Sequence, residues 1–363
     1  MKSKSILKKV ILVLSVLYGI SAYADSTNLK HDLTREQKKQ IAAYNRKQAL
    51  SNKIPPHQPN IHVRPFSDYE KPGYLIMTSN FSFNSKDAKL EIAKALGEDA
   101  ILVLITESSS KNEIDKLYKI YSDVVPKDRM RIIKLNNANN GFWARDAFPI
   151  PLVDESGQLG LLSSLYYKDI KPGLEFTHHF SDNVISNYFY FEGGNLQTNH
   201  LGVCMIVNND SHRIIPDSVF SKKFGCKKLI RLPHLKGIGH IDEHARFINE
   251  STIITDLDEY ADTLKQEGFN ITKLPRPDNY YETYINSIQL DNQIVVPIFG
   301  GKSDKKAISI YRNLGFVVTT ANSSSLSNEG EGSLHCITMV YPPVPYYQLL
   351  ESINAVDVGN QEH

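Results

Sequence analysis

The chain has 363 residues, with 41 Lys plus Arg against 40 Asp plus Glu, 12 His and three Cys. Near-neutral charge with scattered basic residues argues against a nucleic-acid face. No segment is long and apolar enough to span a bilayer.

Residues 1–24, MKSKSILKKVILVLSVLYGISAYA, combine Lys2, Lys4, Lys8 and Lys9 with the apolar run Val10 to Leu17 and a closing Ala22-Tyr23-Ala24. That layout predicts a secretory signal peptide cleaved before Asp25, hence a secreted or periplasmic protein with no stable membrane insertion. The remaining chain, about 340 residues, suits one large domain or two ordinary ones, and no internal linker composition argues for two. Residues 25–58 are polar and lysine-rich and read as a helical or disordered extension. Thr34 and Gln37 offer a capping box, and Pro55-Pro56 close the segment. From residue 59 to about 355, short strands alternate with helical stretches. GYLIMTS, AILVLIT, RMRIIKL, DNQIVVPIF and FVVTTAN read as strands; SKDAKLEIAKALG, SKNEIDKLYKIYSDV and KSDKKAISIYRNLG read as helices. The class is α/β, without a G-x-G-x-x-G turn for a dinucleotide. The odd cysteine count leaves one thiol over: Cys204 and Cys226 either form a disulfide or are two buried thiols, and Cys336 stands apart.

Several stretches carry residues suited to chemistry. In GHIDEHARF, His240-Ile241-Asp242-Glu243-His244 spells H-x-x-E-H, a zinc pattern if helical. If extended, His240 and Asp242 share one face and no metal is implied. Gly237 and Gly239 just before it are poor helix-starting chemistry, which favours the metal-free reading. GFWARDAFPIP sets the sole tryptophan, Trp143, beside Arg145 and Asp146: a binding wall, or a buried Trp near an ion pair. FEGGN places Glu192 before paired glycines, which allow close approach of a ligand or an ordinary bulge. Cys336, in GSLHCITMVYP, is a nucleophile if a His and acids lie near it, and otherwise a small buried side chain.

Taken together in order, W-x-R-D, E-G-G-N, G-H-x-D, Y-x-N and G-x-x-H-C resemble the bacterial guanidine-modifying deiminases, the group containing agmatine deiminase and secreted peptidylarginine deiminase. The resemblance covers about residues 60 to 350. It implies a single-domain, five-bladed α/β propeller (pentein-type) that uses no metal or cofactor. It also implies roles: Cys336 as nucleophile, His240 as general acid and base, Asp146 and Asp242 gripping a guanidinium, and Glu192 pairing with His240. Asn286 and Trp143 would line the substrate slot. The Cys336 pKa would be lowered by His240 or by the cationic substrate. The expected substrate is arginine in a peptide or protein, with agmatine as the alternative; a zinc hydrolase or a non-catalytic binding protein is the remaining possibility. Export, YINS and SLHC lean to the peptidylarginine branch. So do Glu331 to Leu334, where agmatine deiminases read G-G-G-N-I before H-C, and the non-acidic Leu235 to Ile238.

Overall fold

The strand and helix rhythm expected from residue 59 onward is present in the computed structural model, which describes residues 29–51, 63–166 and 185–359. The expected signal peptide and residues 25–28 and 52–58 of the extension lie outside these. The described residues from His31 onward form one compact unit; of the preceding unit, Met1–Lys30, only Leu29 and Lys30 are described. Among the described residues no helix is long and apolar enough to cross a membrane.

The described strands fall into five sheets. Each contains the same motif: a strand pairs antiparallel with a second, which pairs parallel with a third. The triplets are Ile150–Asp154, Leu159–Leu165 and Ile185–Tyr190; Gln197–Thr198, Val203–Asn208 and Lys228–Pro233; Ala245–Phe247, Thr252–Thr255 and Asn270–Lys273; and Ile288–Leu290, Gln293–Ile298 and Val317–Asn322. The fifth joins the two ends of the chain, Met339–Tyr341 pairing with Tyr74–Thr78, which runs parallel to Ile101–Thr106. Parallel neighbours need a crossover, and amphipathic helices supply it. Asp258–Gln266, for example, buries Tyr260, Ala261 and Leu264, one stripe at helical spacing. Ile101–Thr106 sits inside its sheet, and its apolar run is buried from the second residue onward.

Cys204 and Cys226 are disulfide-bonded, which resolves the alternative left by the sequence, and Cys336 is the free, buried thiol. The bridge ties Val203–Asn208 to the turn that leads into its parallel neighbour, Lys228–Pro233.

The N-terminal segment is helical over Arg35–Leu50, with the capping box of Thr34 and Gln37 formed. It packs onto the body. Ile41 joins the core around Ile76, Val103 and Tyr341. The Asn45 amide donates to the carbonyls of Tyr190 and Ser211 and accepts from the Tyr190 N–H.

Candidate active site

In all five units the residues singled out above stand just before the first, antiparallel strand. Trp143 and Asp146 precede Ile150–Asp154, Glu192 precedes Gln197–Thr198, and His240 and Asp242 precede Ala245–Phe247. Asn286 precedes Ile288–Leu290, and Cys336 precedes Met339–Tyr341. All seven are buried.

The HIDEH segment is neither an α-helix nor a strand. His240 is extended, Ile241–Glu243 form a single 3-10 turn, and the strand begins at Ala245. The Glu243 carboxylate turns back to accept the N–H groups of Ile238, Gly239 and His240. Gly237 and Gly239 make that wrap possible: both have positive φ, and a Cβ on Gly237 would lie 2.5 Å from the Glu243 carboxylate. His244 faces away, to Asp256 at 2.9 Å. The zinc reading of this motif therefore fails on geometry: Glu243 is engaged by backbone, and His244 has another partner.

Asp146 and Asp242 approach the same point from different units. A Cβ built on Gly194 would lie 3.0 Å from Asp146 Oδ1, 3.2 Å from Asp242 Oδ2 and 2.8 Å from His240 Nδ1, so only glycine lets the three side chains converge here. The Gly194 N–H donates to Asp146 Oδ1. Burial alone would raise the Asp146 pKa; the neighbouring His240 and His31 outweigh it and hold the pKa at about 2. His240 lies 3.8 Å from Asp146 and 3.9 Å from Glu192. Burial disfavours its cation, but the surrounding carboxylates, Asp146 and Glu192 foremost, push its pKa above the ordinary value. His212 shares the Glu192 carboxylate at 2.6 Å.

Cys336 Sγ is 3.8 Å from Asp242 Oδ2 and 3.3 Å from Asn286 Nδ2. Asn286 is a clamp: its Oδ1 accepts from His335 N–H and its Nδ2 reaches the Asp242 carbonyl. The thiol pKa is pushed well up, by burial first and then by the charges of Asp242 and Asp146. This corrects the expectation that His240 lowers it.

Four residues of the site were not assigned from the sequence. His335 Nδ1 lies 2.6 Å from Asp242 Oδ2, and its Nε2 lies 2.9 Å from Asp68. Asp68 is in turn held by Arg145 at 3.0 Å and Gln197 at 2.6 Å. This chain fixes one oxygen of Asp242 and leaves Oδ1 buried without a partner. His212 and His31 are the others. His31 Nε2 hydrogen-bonds Asp146 Oδ2, and its ring stacks on Trp143 with centroids 4.4 Å apart. Among the described residues His31, Asp146 and His240 form the one group with metal-ligand spacing, and of the HIDEH residues it includes His240 alone.

A buried thiol beside two convergent carboxylates and a charged imidazole is suited to nucleophilic attack on a planar cation. The comparisons with known proteins agree. The family model for Porphyromonas-type peptidyl-arginine deiminase matches residues 82–342. A candidate agmatine deiminase of Mycoplasma mycoides subsp. mycoides is 21% identical over 342 residues, covering 73% of this chain and 90% of that protein. Among solved structures, agmatine deiminase of C. jejuni superposes with a TM-score of 0.61 at 21% identity, over 78% of this chain and 98% of that one. A candidate arginine deiminase of Porphyromonas gingivalis does so with a TM-score of 0.58 at 19% identity, over 77% and 98%. These likenesses establish the pentein-type α/β fold. The chain belongs to the Porphyromonas-type peptidyl-arginine deiminase family, and is a hydrolase of the amidine C–N bond.

Proposed function

We propose that this protein is an exported cysteine-dependent deiminase that converts arginine in a peptide or protein to citrulline, releasing ammonia. The observation that carries this reading is the convergence of Asp146, Asp242 and His240 at Gly194, with Cys336 adjoining Asp242. A guanidinium is flat, cationic and a fork of N–H donors, and paired carboxylates are its natural receptors.

In the proposed reaction Asp146 and Asp242 grip the guanidinium. Its positive charge offsets the two carboxylates that hold the Cys336 proton on, so the thiol releases that proton to solvent. The thiolate attacks the central carbon and forms a C–S bond. His240, whose cation the surrounding carboxylates favour, protonates the departing nitrogen, the C–N bond breaks and ammonia leaves. Neutral His240 then takes a proton from water as the oxygen adds to the carbon of the thiouronium. Collapse breaks the C–S bond, gives the neutral ureido group, and returns the second proton to sulfur. Glu192 steadies the His240 cation. Asn286 holds the Cys336 and His335 backbone, and Trp143 walls the slot.

The five repeated strand triplets, each ending one approach to this space, support their reading as five blades of a propeller around it. The disulfide and the N-terminal sequence pattern support export, since disulfides persist in oxidising compartments. The agmatine deiminases among the relatives favour a second reading, with agmatine as substrate.

The test is ureido-product formation from an arginine-containing peptide, agmatine and free arginine, with and without a chelator. We expect fastest turnover of the peptide, indifference to chelator, and loss of product in Cys336→Ala. Product from agmatine alone would transfer the assignment to the second reading. No product from any guanidine would refute the deiminase reading.

A further inference from the structure

The slot described above is already filled, and by the chain itself. His31 precedes the Arg35–Leu50 helix and is 2% exposed. Its ring bonds the second oxygen of Asp146, lies flat on Trp143 at an interplanar angle of 12°, and meets the His240 ring edge-on with centroids 5.4 Å apart. A planar nitrogen donor on Asp146, stacked against the aromatic wall, is what a bound guanidinium would present there.

The fit is incomplete in a telling way. Two buried acceptors of the site, Asp242 Oδ1 and Glu192 Oε1, have no hydrogen-bond partner. An imidazole offers at most two donors, whereas a guanidinium offers five N–H groups. Leaving buried polar atoms unpaired costs free energy, so the site is under-satisfied by its present occupant and better matched to one with more donors.

The segment is held at its mouth by polar contacts, and Leu33 packs against the core. His31 N–H donates to the Gly330 carbonyl at 2.8 Å, and Asp32 meets Lys38 at 2.6 Å and the Tyr281 hydroxyl at 3.4 Å. Behind it, Ile41 and Asn45 anchor the helix firmly. An open cleft is lined by His31, Asp32, Glu192 and His240, among others, and Cys336 is not among its lining residues. The His31 segment forms part of the wall of that cleft.

We infer that His31 is an internal pseudosubstrate: the segment around it is an autoinhibitory strap that occupies the guanidinium slot, and turnover requires it to swing out on the fixed helix. This rests on the deiminase reading for the identity of the slot. Substrate then competes with a tethered ligand, so apparent affinity falls by the fraction of molecules with the strap open. The strap also enters as a main chain lying across the mouth with one side chain inserted, which is how an arginine within a polypeptide would present itself.

The test uses the whole protein with His31→Ala and, as a milder variant that keeps the ring, Asp32→Ala. Three readouts are taken: alkylation of Cys336 by chloroacetamidine, a small cationic amidine; ureido-product formation; and emission of Trp143, the sole tryptophan. We expect His31→Ala to raise the alkylation rate and kcat/KM roughly tenfold or more, with Asp32→Ala in between, and to change Trp143 emission as the stacked ring is lost. A thermal melt checks that both variants fold; if His31→Ala does not, Asp32→Ala decides alone. Alkylation unchanged or slower in the folded variants would overturn the strap and make His31 a positioning residue of the working site. Faster alkylation without product from any guanidine would leave the strap standing and refute the deiminase reading instead.

Discussion

Gly194→Ala tests where the reacting group sits. The backbone there does not require glycine, since its φ lies outside the left-handed region; only space does. An added Cβ would lie 2.8 Å from His240 Nδ1, against 3.4 Å or more for an ordinary contact, so the imidazole must give by about 0.6 Å. Asp146 Oδ1, at 3.0 Å from the new carbon, would be pressed on the same side, and it is tied to Gly194 by its own hydrogen bond. A misplacement near 1 Å costs about a hundredfold in rate. We therefore expect kcat/KM to fall about thirtyfold to a hundredfold, about 2–3 kcal/mol in transition-state stabilisation. Overpacking by one methyl costs stability of about 1–3 kcal/mol, so the variant should still fold. The assay is product formation from the preferred guanidine, alongside a thermal melt. A folded Gly194→Ala enzyme within about threefold of wild type would refute the claim that the guanidinium lies in this space.

Two further outcomes follow from the same geometry. His335→Gln removes the ring that ties Asp242 to Asp68, so Asp242 should grip substrate less well: about tenfold to a hundredfold lower kcat/KM, carried largely by KM, and matched in direction by Asp68→Asn. Steady-state kinetics check this, and an unchanged KM would remove His335 from the substrate-holding chain. Because burial and the aspartates hold the Cys336 proton on, iodoacetamide, a neutral reagent, should alkylate it slowly at pH 7 and faster as pH rises past the ordinary thiol range; a pH-independent rate would mean that the thiol is already ionised.

How much of this was legible in the sequence differs by residue. Asp146, Glu192, His240, Asn286 and Cys336 are separated by 46, 48, 46 and 50 residues. No strict sequence repeat accompanies them. The regularity comes from topology: each unit contributes the residues just before its first strand, and only those few positions face the common space. Spacing was therefore a readable signal, even though the units share little sequence. Asp68 and His31 carried no such signal. Asp68 meets His335 across 267 residues, and His31 meets Asp146 across 115, and neither belongs to one of the five motifs. The N-terminal helix looks like a solvated extension because few of its residues are buried, Ile41 and Asn45 chief among them. Its amphipathic signal is too weak to show that it docks, and a single histidine before an N-cap does not announce where it points. The cysteine pair was likewise a matter of geometry, because spacing alone permits a bridge without requiring one.

The electrostatics explain why a thiol with a raised pKa is not an obstacle. Asp146, Asp242, Glu192 and Glu243 all bear on His240 and raise its pKa, and two of them, with Glu243, raise that of Cys336. Burial first, and then the cluster of carboxylates, holds the thiol neutral, and the same carboxylates favour the imidazole cation. The site without substrate thus favours its acid form and masks its nucleophile. Only a ligand that brings positive charge between Asp146 and Asp242 reverses the second effect, so ionisation of Cys336 is coupled to binding a cation. A neutral amide or a ureido product would leave the thiol protonated. Selectivity for a guanidinium over its own product then arises from the charge of the substrate, beyond the hydrogen bonds that the two aspartates can form.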